Sequence, residues 1–356
     1  MDIFRASMKS NNLNQTGAVR VSVAIATYNG AKYLSEQLES IAKQTVLPNE
    51  IIISDDCSTD NTKEIVESFV KSSTIPVQFL THPVNVGIIN NFFNAFNHCT
   101  GDYIFYCDQD DVWMSDKVEQ CLRCFQHSNQ IKLVIHQNNI VDENLNDQNI
   151  IQPHISQSHT VKSPIYRDSV WGFGHQMVFH RSILPMLTYL KDLKETNLSQ
   201  VATCFDFSII VAAGATGDIY LLKKPLVFFR RHSNSTTKAG KANEGVFVKA
   251  ENKNILNNLY VGEIEALIAL TDSPAFQKLI PVQSHSLYKA MLSDKLIQYK
   301  KITQLYTGKS LYKHIAKTVN TINYGLQNTS SVKKEIAKNI FYASLLRLAN
   351  NKFTSI

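Results

Sequence analysis

Apolar and polar positions follow a regular order in the first 120 residues. The apolar, β-rich run Val21 to Ala26 leads into the polar turn Thr27-Tyr28-Asn29-Gly30, and Leu34, Leu38 and Ile41 then recur at helical spacing. This pattern predicts a strand, a polar loop and a helix. The same order recurs further along the chain, so this unit is the building block of the region.

Three more strands fit this order: Glu50 to Ser54, Pro76 to Leu80 and Tyr103 to Cys107. Helical patterns follow the first two of them, and each strand is apolar enough to be buried on both faces. Such strands with helical crossovers predict an α/β fold built on an open, parallel sheet. Ligands of such sheets bind at the carboxyl ends of the strands, where the polar loops lie.

Beyond residue 120 the alternation becomes less regular. We predict a strand at Lys132 to His136, a polar stretch from Asp142 to Lys162, and a helix from Phe205 to Ala213. From about Phe247 the chain is rich in Lys, Asn, Leu and Ile with helical periodicity. The sequence therefore predicts an α/β domain at residues 20–240 and a helical, basic region at residues 247–356.

The segment Asp108-Gln109-Asp110-Asp111 carries the most specific chemistry. It follows an apolar strand directly, and its three carboxylates would repel one another unless a cation lay between them. Mg²⁺ and Mn²⁺ bind carboxylate oxygens together with the phosphate oxygens of a substrate. The alternative is a solvated turn that caps a helix beginning near Val112, because aspartates favour both positions.

Two other polar loops suit a nucleoside. The carboxylates of Asp55 and Asp56 can accept hydrogen bonds from a base or a ribose, and Thr27-Tyr28-Asn29 offers hydroxyls, an amide and an aromatic face. Each loop alone is a weak signal, since Asp-Asp is also common in turns. Together with the acidic segment they predict a site for a nucleotide and its diphosphate.

The three loops, in this order and spacing, resemble family 2 glycosyltransferases of the GT-A fold, and the resemblance covers roughly residues 20–240. Tyr106 to Trp113 is similar to bacterial rhamnosyltransferase-type members, which assemble O-antigen or capsular polysaccharides. The resemblance implies inverting, metal-dependent transfer of a sugar from a UDP- or dTDP-sugar, dTDP-rhamnose included. The acceptor would be a growing bacterial surface polysaccharide, as a glycan or a polyprenyl-diphosphate-linked chain.

The resemblance also implies roles for individual residues. Asp108 and Asp110 would be the ligands of Mg²⁺ or Mn²⁺. Asp206, in Phe205-Asp206-Phe207, would be the catalytic base, with an N-cap as the alternative role and Asp168 or Asp218 as substitutes. The residues implied for the nucleotide-sugar site are Thr27, Tyr28, Asn29, Asp55, Asp56, Asp108, Asp110, Asp111 and Arg230.

Two downstream segments suit phosphate and acceptor. Arg230 or His232, in Phe228 to Asn234, resembles the family's Tyr-Arg-x-His segment and suits phosphate oxygens. In Trp171 to Gln176, Trp171 can stack on an acceptor sugar and His175 can bond its hydroxyl. A surface histidine at 232 and a glycine-kinked strand at 171–176 are the structural alternatives.

The positive charge is concentrated near the C-terminus. The formal net charge is +6, but residues 288–356 hold 12 Lys and Arg against Asp294 and Glu335, a net of +10. This predicts a surface for anionic lipid or phosphate near the C-terminus, against a solvated helix face, and no nucleic-acid partner. No run of 18 apolar residues and no apolar N-terminal stretch occur, so we expect a cytoplasmic protein, with peripheral attachment to the inner membrane face as an option.

Other functional classes fit less well. Asp108 to Val112 also fits the nucleophile loop of haloacid-dehalogenase-like phosphatases, but that loop usually follows the first strand. A non-catalytic saccharide-binding protein is a further alternative. No glycine-rich dinucleotide or P-loop motif follows a strand, which disfavours dehydrogenases and P-loop ATPases. Cys121 and Cys124 form a lone CxxC, for which helix packing is a better explanation than zinc.

Overall fold

The computed structural model describes residues 19–165, 170–196, 205–232 and 261–307, apart from 263 and 266. A ten-stranded sheet forms its centre. The strands are β1 (Val21–Thr27), β2 (Glu50–Asp55), β3 (Val77–Thr81), β4 (Tyr103–Cys107), β5 (Val112–Trp113), β6 (Ile131–Val141), β7 (Asp147–Gln152), β8 (His159–Val161), β9 (Met177–His180) and β10 (Asp218–Arg230).

The sheet has a parallel half and a mixed half. Its order is β3-β2-β1-β4-β9-β6-β10-β5, with β7 beside β6 and β8 beside β10. The first four strands are all parallel, with Ile25 opposite both Ile53 and Cys107. β9 is antiparallel to both its neighbours, and β5 is antiparallel to β10. The predicted α/β class is therefore confirmed, with an all-parallel set of strands within residues 21–107 and one further parallel pair, β6 with β10, in the mixed half.

The reason for the change lies in the connections. Parallel neighbours need a crossover, usually a helix, whereas a short turn forces the chain back antiparallel. The turn at 142–146 thus makes β7 antiparallel to β6. Both the turn and β7 lie inside the stretch that was predicted only to be polar. Asp142 stabilises this turn by accepting hydrogen bonds from the backbone of Asn144 and Asn146.

Helices cover the sheet. Leu34, Leu38 and Ile41 of the first helix are fully buried, as their spacing predicted, and Ile25 and Phe105 of the strands they cover are also inaccessible. The helices are α1 (Leu34–Ala42), α2 (Thr62–Ser72), α3 (Ile88–His98), α4 (Lys117–Phe125), α5 (Leu184–Thr196), α6 (Phe205–Thr216), α7 (Pro274–Gln277) and α8 (His285–Thr307).

The segment after Asp111 differs from the capped helix considered above. Val112 and Trp113 form β5, which pairs with Phe228 and Val227 of β10, and α4 begins only at Lys117. The acidic residues therefore join two strands of one sheet. This connection ties them to the end of β10.

Part of the predicted helical region belongs to the same compact unit as the sheet. Residues 261–296 belong to the same compact unit as the sheet, whereas 297–307 belong to a second one. Phe276 is fully buried, with ring centroids 6.0 Å from Tyr189 and 6.1 Å from Tyr288. The predicted boundary at 240–247 lies outside the described residues and stays a prediction. No helix in the described part of the chain is long and apolar enough to cross a membrane.

Candidate active site

The first loop, Thr27 to Gly30, is bound to the acidic segment, Asp108 to Asp111, through one side chain. The backbone N–H of Tyr28 donates to Oε1 of Gln109 at 2.9 Å, and Nε2 of Gln109 donates to the carbonyl of Tyr28 at 3.1 Å. A Cβ at Gly30 would lie 2.3 Å from the same Oε1, so this approach needs glycine. Tyr28 itself stays 49% exposed, as a side chain available to a ligand would be.

The second loop, Asp55 to Asp60, is packed against the first. Asn29 has a φ of 47°, and its N–H donates to Oγ of Ser58 while its Oδ1 accepts from the N–H of Thr59. Asparagine tolerates this left-handed conformation better than most residues. The two loops predicted to bind the nucleoside are thus brought together at the carboxyl ends of β1 and β2.

The two adjacent carboxylates of the second loop are occupied by protein groups. Asp55 is 5% exposed and accepts from Oγ1 of Thr27 at 2.7 Å and from the N–H and hydroxyl of Ser58 at 2.9 and 2.6 Å. Asp56 is 3% exposed and accepts from the N–H groups of Val86 and Gly87, just before α3. These bonds show both residues building the loop, and their contact with a nucleoside stays a prediction.

Burial and mutual repulsion make ionisation of the carboxylates in the acidic segment less favourable. Desolvation raises the pKa of Asp108 to about 6, against the lowering effect of Lys117. Burial and the neighbouring carboxylates also raise the pKa values of Asp110 and, more strongly, of the fully buried Asp111. Oδ1 of Asp111 accepts from the N–H of Arg230, whereas its Oδ2 has no hydrogen-bond partner within the described part of the chain.

A buried network lies under the acidic segment. His175 is 1% exposed, and its Nδ1 lies 3.3 Å from Oδ2 of Asp108. Burial and the ammonium of Lys117 lower the pKa of His175 to about 3, against the opposing effect of Asp206. The fully buried Lys117 donates to the carbonyl of His175 at 2.8 Å, and burial lowers its own pKa to about 8.

Arg230 holds the acidic segment from the side of β10. Its Nε donates to the carbonyl of Asp110 at 2.9 Å, and its terminal nitrogens donate to the carbonyl of Glu143 and the carboxylate of Glu36. The guanidinium also lies over the ring of Tyr33, 4.5 Å from its centroid. At 2% exposure, Arg230 is anchored by protein groups, and its predicted contact with a nucleotide-sugar stays a prediction.

His232 brings a second imidazole to the segment. Its Nε2 lies 2.9 Å from Oδ2 of Asp110, and its ring packs against that of Tyr33 at 4.8 Å. The side chains of Asp108 and Asp110 are 31% and 24% exposed, whereas that of Asp111 is fully buried. The carboxylates therefore form two groups by their histidine: an inner pair, Asp108 and Asp111 beside His175, and an outer pair, Asp110 and His232.

The remaining predicted residues lie in different places. Trp171 is 42% exposed, with its ring edge-on to Phe173 at 4.8 Å. Asp206 lies in the first turn of α6 and acts electrostatically on His175. Asp168 lies outside the described residues. Asp218 begins β10, roughly 40 Å along the strand from Arg230 at about 3.3 Å per residue, and is bound by Lys162, so it is no substitute base.

The carboxylates of the acidic segment suit a hard divalent cation. The ligand atoms of Asp108, Asp111 and His175 lie within 4.8 Å of one another. The carboxylates raise one another's pKa, and Oδ2 of Asp111 has no partner among the described residues. A cation would relieve both conditions, and carboxylate oxygens are what Mg²⁺ and Mn²⁺ prefer.

Solved structures give the class of the fold. The crystal structure of TarS residues 1–349 from S. aureus superposes with a TM-score of 0.50 at 17% identity, over 81% of this chain and 91% of that one. Together with the strand order and the loops at its carboxyl edge, this makes the fold that of the GT-A glycosyltransferases.

Sequence comparison agrees with the family resemblance of the three loops. Residues 22–185 match the model of glycosyl transferase family 2. An uncharacterised glycosyltransferase of Nostoc sp. is 32% identical over 126 residues, 35% of this chain and 38% of that protein. The dTDP-rhamnosyl transferase RfbG of Shigella flexneri is 39% identical over 110 residues, 30% of this chain and 38% of RfbG. The chain thus spans about two fifths of the length of these relatives.

Sequence reasoning missed several residues of the site. Nothing in the pattern along the chain singles out Lys117, Asn138 or Glu36, although each contacts a site residue. Lysine is rarely fully buried, so no pattern along the chain marks Lys117 as an internal cation. For Glu36, the one available signal is its position in the first turn of the helix that follows the first loop.

Proposed function

We propose that this protein is an inverting, metal-dependent glycosyltransferase that moves a sugar from a UDP- or dTDP-sugar to a growing bacterial surface polysaccharide. The observation that carries this proposal is the strained acidic segment bound directly to the first loop through Gln109. It supplies excess negative charge for a cation beside the loop that suits a nucleoside. The relative named a dTDP-rhamnosyl transferase makes dTDP-rhamnose the first sugar donor to test.

The metal would be held by Asp108 and Asp110, with Mg²⁺ or Mn²⁺ as the ion. Asp110 is the more accessible carboxylate of the segment after Asp108, and His232 lies against it. When bound, the cation neutralises charge that develops on the departing diphosphate. Lys117 and Arg230 supply fixed positive charge next to the acidic segment. The carboxylates of the segment and of Glu36 outnumber these two cations, so negative charge is left for a metal ion to neutralise.

Asp206 is proposed as the catalytic base. In inverting transfer the base removes the proton of an acceptor hydroxyl, whose oxygen bonds to the anomeric carbon from the face opposite the diphosphate. The bond from that carbon to the phosphate oxygen breaks, and the nucleoside diphosphate leaves with the electron pair. Support comes from the location of Asp206 in the first turn of α6, within electrostatic range of His175 under the acidic segment.

Trp171 is proposed to receive the acceptor. Its indole is 42% exposed and is supported from one side by Phe173, whose ring stacks on that of His175 at 5.6 Å. An exposed aromatic face suits the apolar face of a sugar ring. The acceptor is thus expected to be a saccharide, free or carried on a polyprenyl diphosphate.

Membrane contact through the basic region is a separate proposal, based on the sequence alone. Lysines 333, 334, 338 and 352 lie outside the described residues, with apolar residues between them. We expect the full chain to co-sediment with vesicles of anionic lipid and to lose this when the four are replaced by Gln. Equal binding by both proteins, or binding to neutral vesicles, contradicts attachment to the inner membrane face.

The direct test is turnover of sugar nucleotides. The full chain is incubated with UDP- and dTDP-sugars, dTDP-rhamnose first, and a lipid-linked or soluble saccharide, with Mn²⁺, Mg²⁺ or EDTA. We expect release of the nucleoside diphosphate and a glycosylated product only with metal. Binding of saccharide without turnover indicates the non-catalytic alternative, and a phosphorylated Asp108 indicates the phosphatase alternative.

A further inference from the structure

The imidazole of His175 is buried and bonds to other buried groups of the protein. The residue lies in the short 3-10 helix Gly174–Gln176 between Phe173 and β9. Its imidazole is 1% exposed and stacks on Phe229 at a centroid distance of 4.4 Å. A ring that is buried and stacked in this way cannot turn to meet a substrate hydroxyl without leaving its contacts. The acceptor contact predicted from the sequence stays a prediction, and these buried contacts suit a further role.

Asn138 determines which ring nitrogen carries the proton. Its amide Nδ2 lies 2.6 Å from Nε2 of His175, and both groups are fully buried. An amide nitrogen only donates, so Nε2 must accept, and the proton of the neutral ring resides on Nδ1. A neighbouring hydrogen bond is the usual means by which a protein selects one tautomer of histidine.

The Nδ1–H then faces the inner carboxylates. Nδ1 lies 3.3 Å from Oδ2 of Asp108, and 3.6 Å from Oδ2 of Asp111. Oδ2 of Asp111 has no hydrogen-bond partner elsewhere in the described residues. Lys117 donates to the carbonyl of His175 at 2.8 Å and so holds the backbone of the same residue. The imidazole is thus held by Asn138 and Phe229, its backbone is held by Lys117, and it presents one N–H to the acidic segment.

We propose that His175, held by Asn138 in its Nδ1–H tautomer, is a positioning residue that orients Asp108 for the metal and the sugar nucleotide. This inference rests on the proposed function and adds a hydrogen-bond relay, Asn138 to His175 to Asp108, behind the metal ligands. In this arrangement His175 is itself no ligand, because its proton occupies the lone pair that a metal would need. Removing such supporting partners typically weakens metal affinity about 10- to 100-fold.

The tautomer is tested first, because that test needs no substrate. Long-range ¹H–¹⁵N spectra of the ¹⁵N-labelled full chain, assigned with His175→Asn, report which ring nitrogen of His175 bears the proton. We expect a neutral ring with Nδ1 protonated, unchanged by saturating Mg²⁺, and a mixture of tautomers in Asn138→Leu. A protonated Nε2, or loss of the Nδ1 proton on adding Mg²⁺, would overturn the proposal and make His175 a metal ligand.

The role in positioning is tested by Mn²⁺ titration followed by electron paramagnetic resonance. His175→Leu should weaken Mn²⁺ binding about 10- to 100-fold, and His175→Asn, which keeps an N–H near the Nδ1 position, should recover most of it. The exposed His159→Asn serves as the matched control. Should His175→Leu not fold, Asn138→Leu replaces it, with a smaller loss expected.

The outcomes separate the two proposals. Wild-type affinity in both His175→Leu and Asn138→Leu overturns the positioning role while leaving the transferase in place. A wild-type chain that binds no Mn²⁺ and turns over no sugar nucleotide overturns the proposed function, and the tautomer measurement then still decides the geometry of His175.

Discussion

The second loop and the acidic segment are both rich in aspartate and both follow buried strands, yet the fold treats them in opposite ways. Asp55 and Asp56 each accept from two or more protein donors. The acidic segment leaves Oδ2 of Asp111 without a partner among the described residues and raises the pKa of all its carboxylates. A satisfied carboxylate builds structure, whereas a buried carboxylate oxygen without a partner can still accept a bond from a ligand.

The largest effect on transfer is expected from removal of the carboxylate of Asp110. Asp110→Ala should lower transfer roughly a thousandfold, because a metal contributes several kcal/mol of charge stabilisation and about 1.4 kcal/mol is tenfold. The unfolding midpoint should not fall, since a repelling charge is lost. Turnover and urea unfolding are compared with the exposed Asp147→Ala, and undiminished turnover in Asp110→Ala would sink the assignment.

The reverse result is expected in the second loop. Asp55→Ala removes the acceptor of three hydrogen bonds, from Thr27 and Ser58, inside a buried turn. The free energy of unfolding should drop by about 3 kcal/mol, and the Mn²⁺ affinity of the remaining folded protein should be unchanged. Urea titration checks the first and electron paramagnetic resonance the second. A stable variant that has lost only nucleotide binding would show that Asp55 faces the ligand instead.

Metal addition probes the unsatisfied cluster directly. A ligand at 100 times its Kd stabilises the native state by about 2.7 kcal/mol. Mn²⁺ should therefore raise the melting temperature of the wild-type chain, and EDTA should reverse the rise. The same addition to Asp110→Ala serves as the control and should give a much smaller shift. Equal shifts in both proteins would mean that the ion binds elsewhere.

Low pH should destabilise the protein, because His136 is buried in its neutral form. His136 is fully buried in β6, donates from Nδ1 to the carbonyl of Gln137, and has its pKa lowered well below 6.5 by burial. Its contribution is fully present above pH 6.5 and is lost as pH falls towards the folded pKa, by at most about 1.4 kcal/mol per pH unit. His136→Leu should flatten the dependence of unfolding on pH between 7 and 5. An unchanged slope contradicts this.

The smallest effect is expected in the first loop. Tyr28 is half-exposed and offers a ring face to a nucleoside, so Tyr28→Ala should raise the KM for the sugar nucleotide about fivefold, or about 1 kcal/mol. Its melting temperature should stay within a degree or two, as for most exposed substitutions. Tyr28→Phe keeps the ring and should keep the KM. A large loss of stability in Tyr28→Ala would mark the side chain as structural.

The strands of the parallel half were predictable from the sequence, whereas in the mixed half only β6 was, through the strand predicted at Lys132 to His136. β1, β2, β3 and β4 follow from apolar runs separated by helices with clear periodicity, and their loops follow from the turn residues. β5 has only two residues and β9 four, too few for periodicity to identify them. Their pairing depends on partners far along the chain, such as Trp113 on Val227.

The fold class, the two polar loops and the acidic segment follow from the amino-acid sequence, because each depends on residues within one strand-loop-helix unit. How those residues are used follows only from the tertiary structure. It buried Lys117 and His175 under the segment, placed Arg230 beside Asp110, and satisfied Asp55 but not Asp111. Desolvation and long-range hydrogen bonds set these differences, and both depend on which distant strands become neighbours.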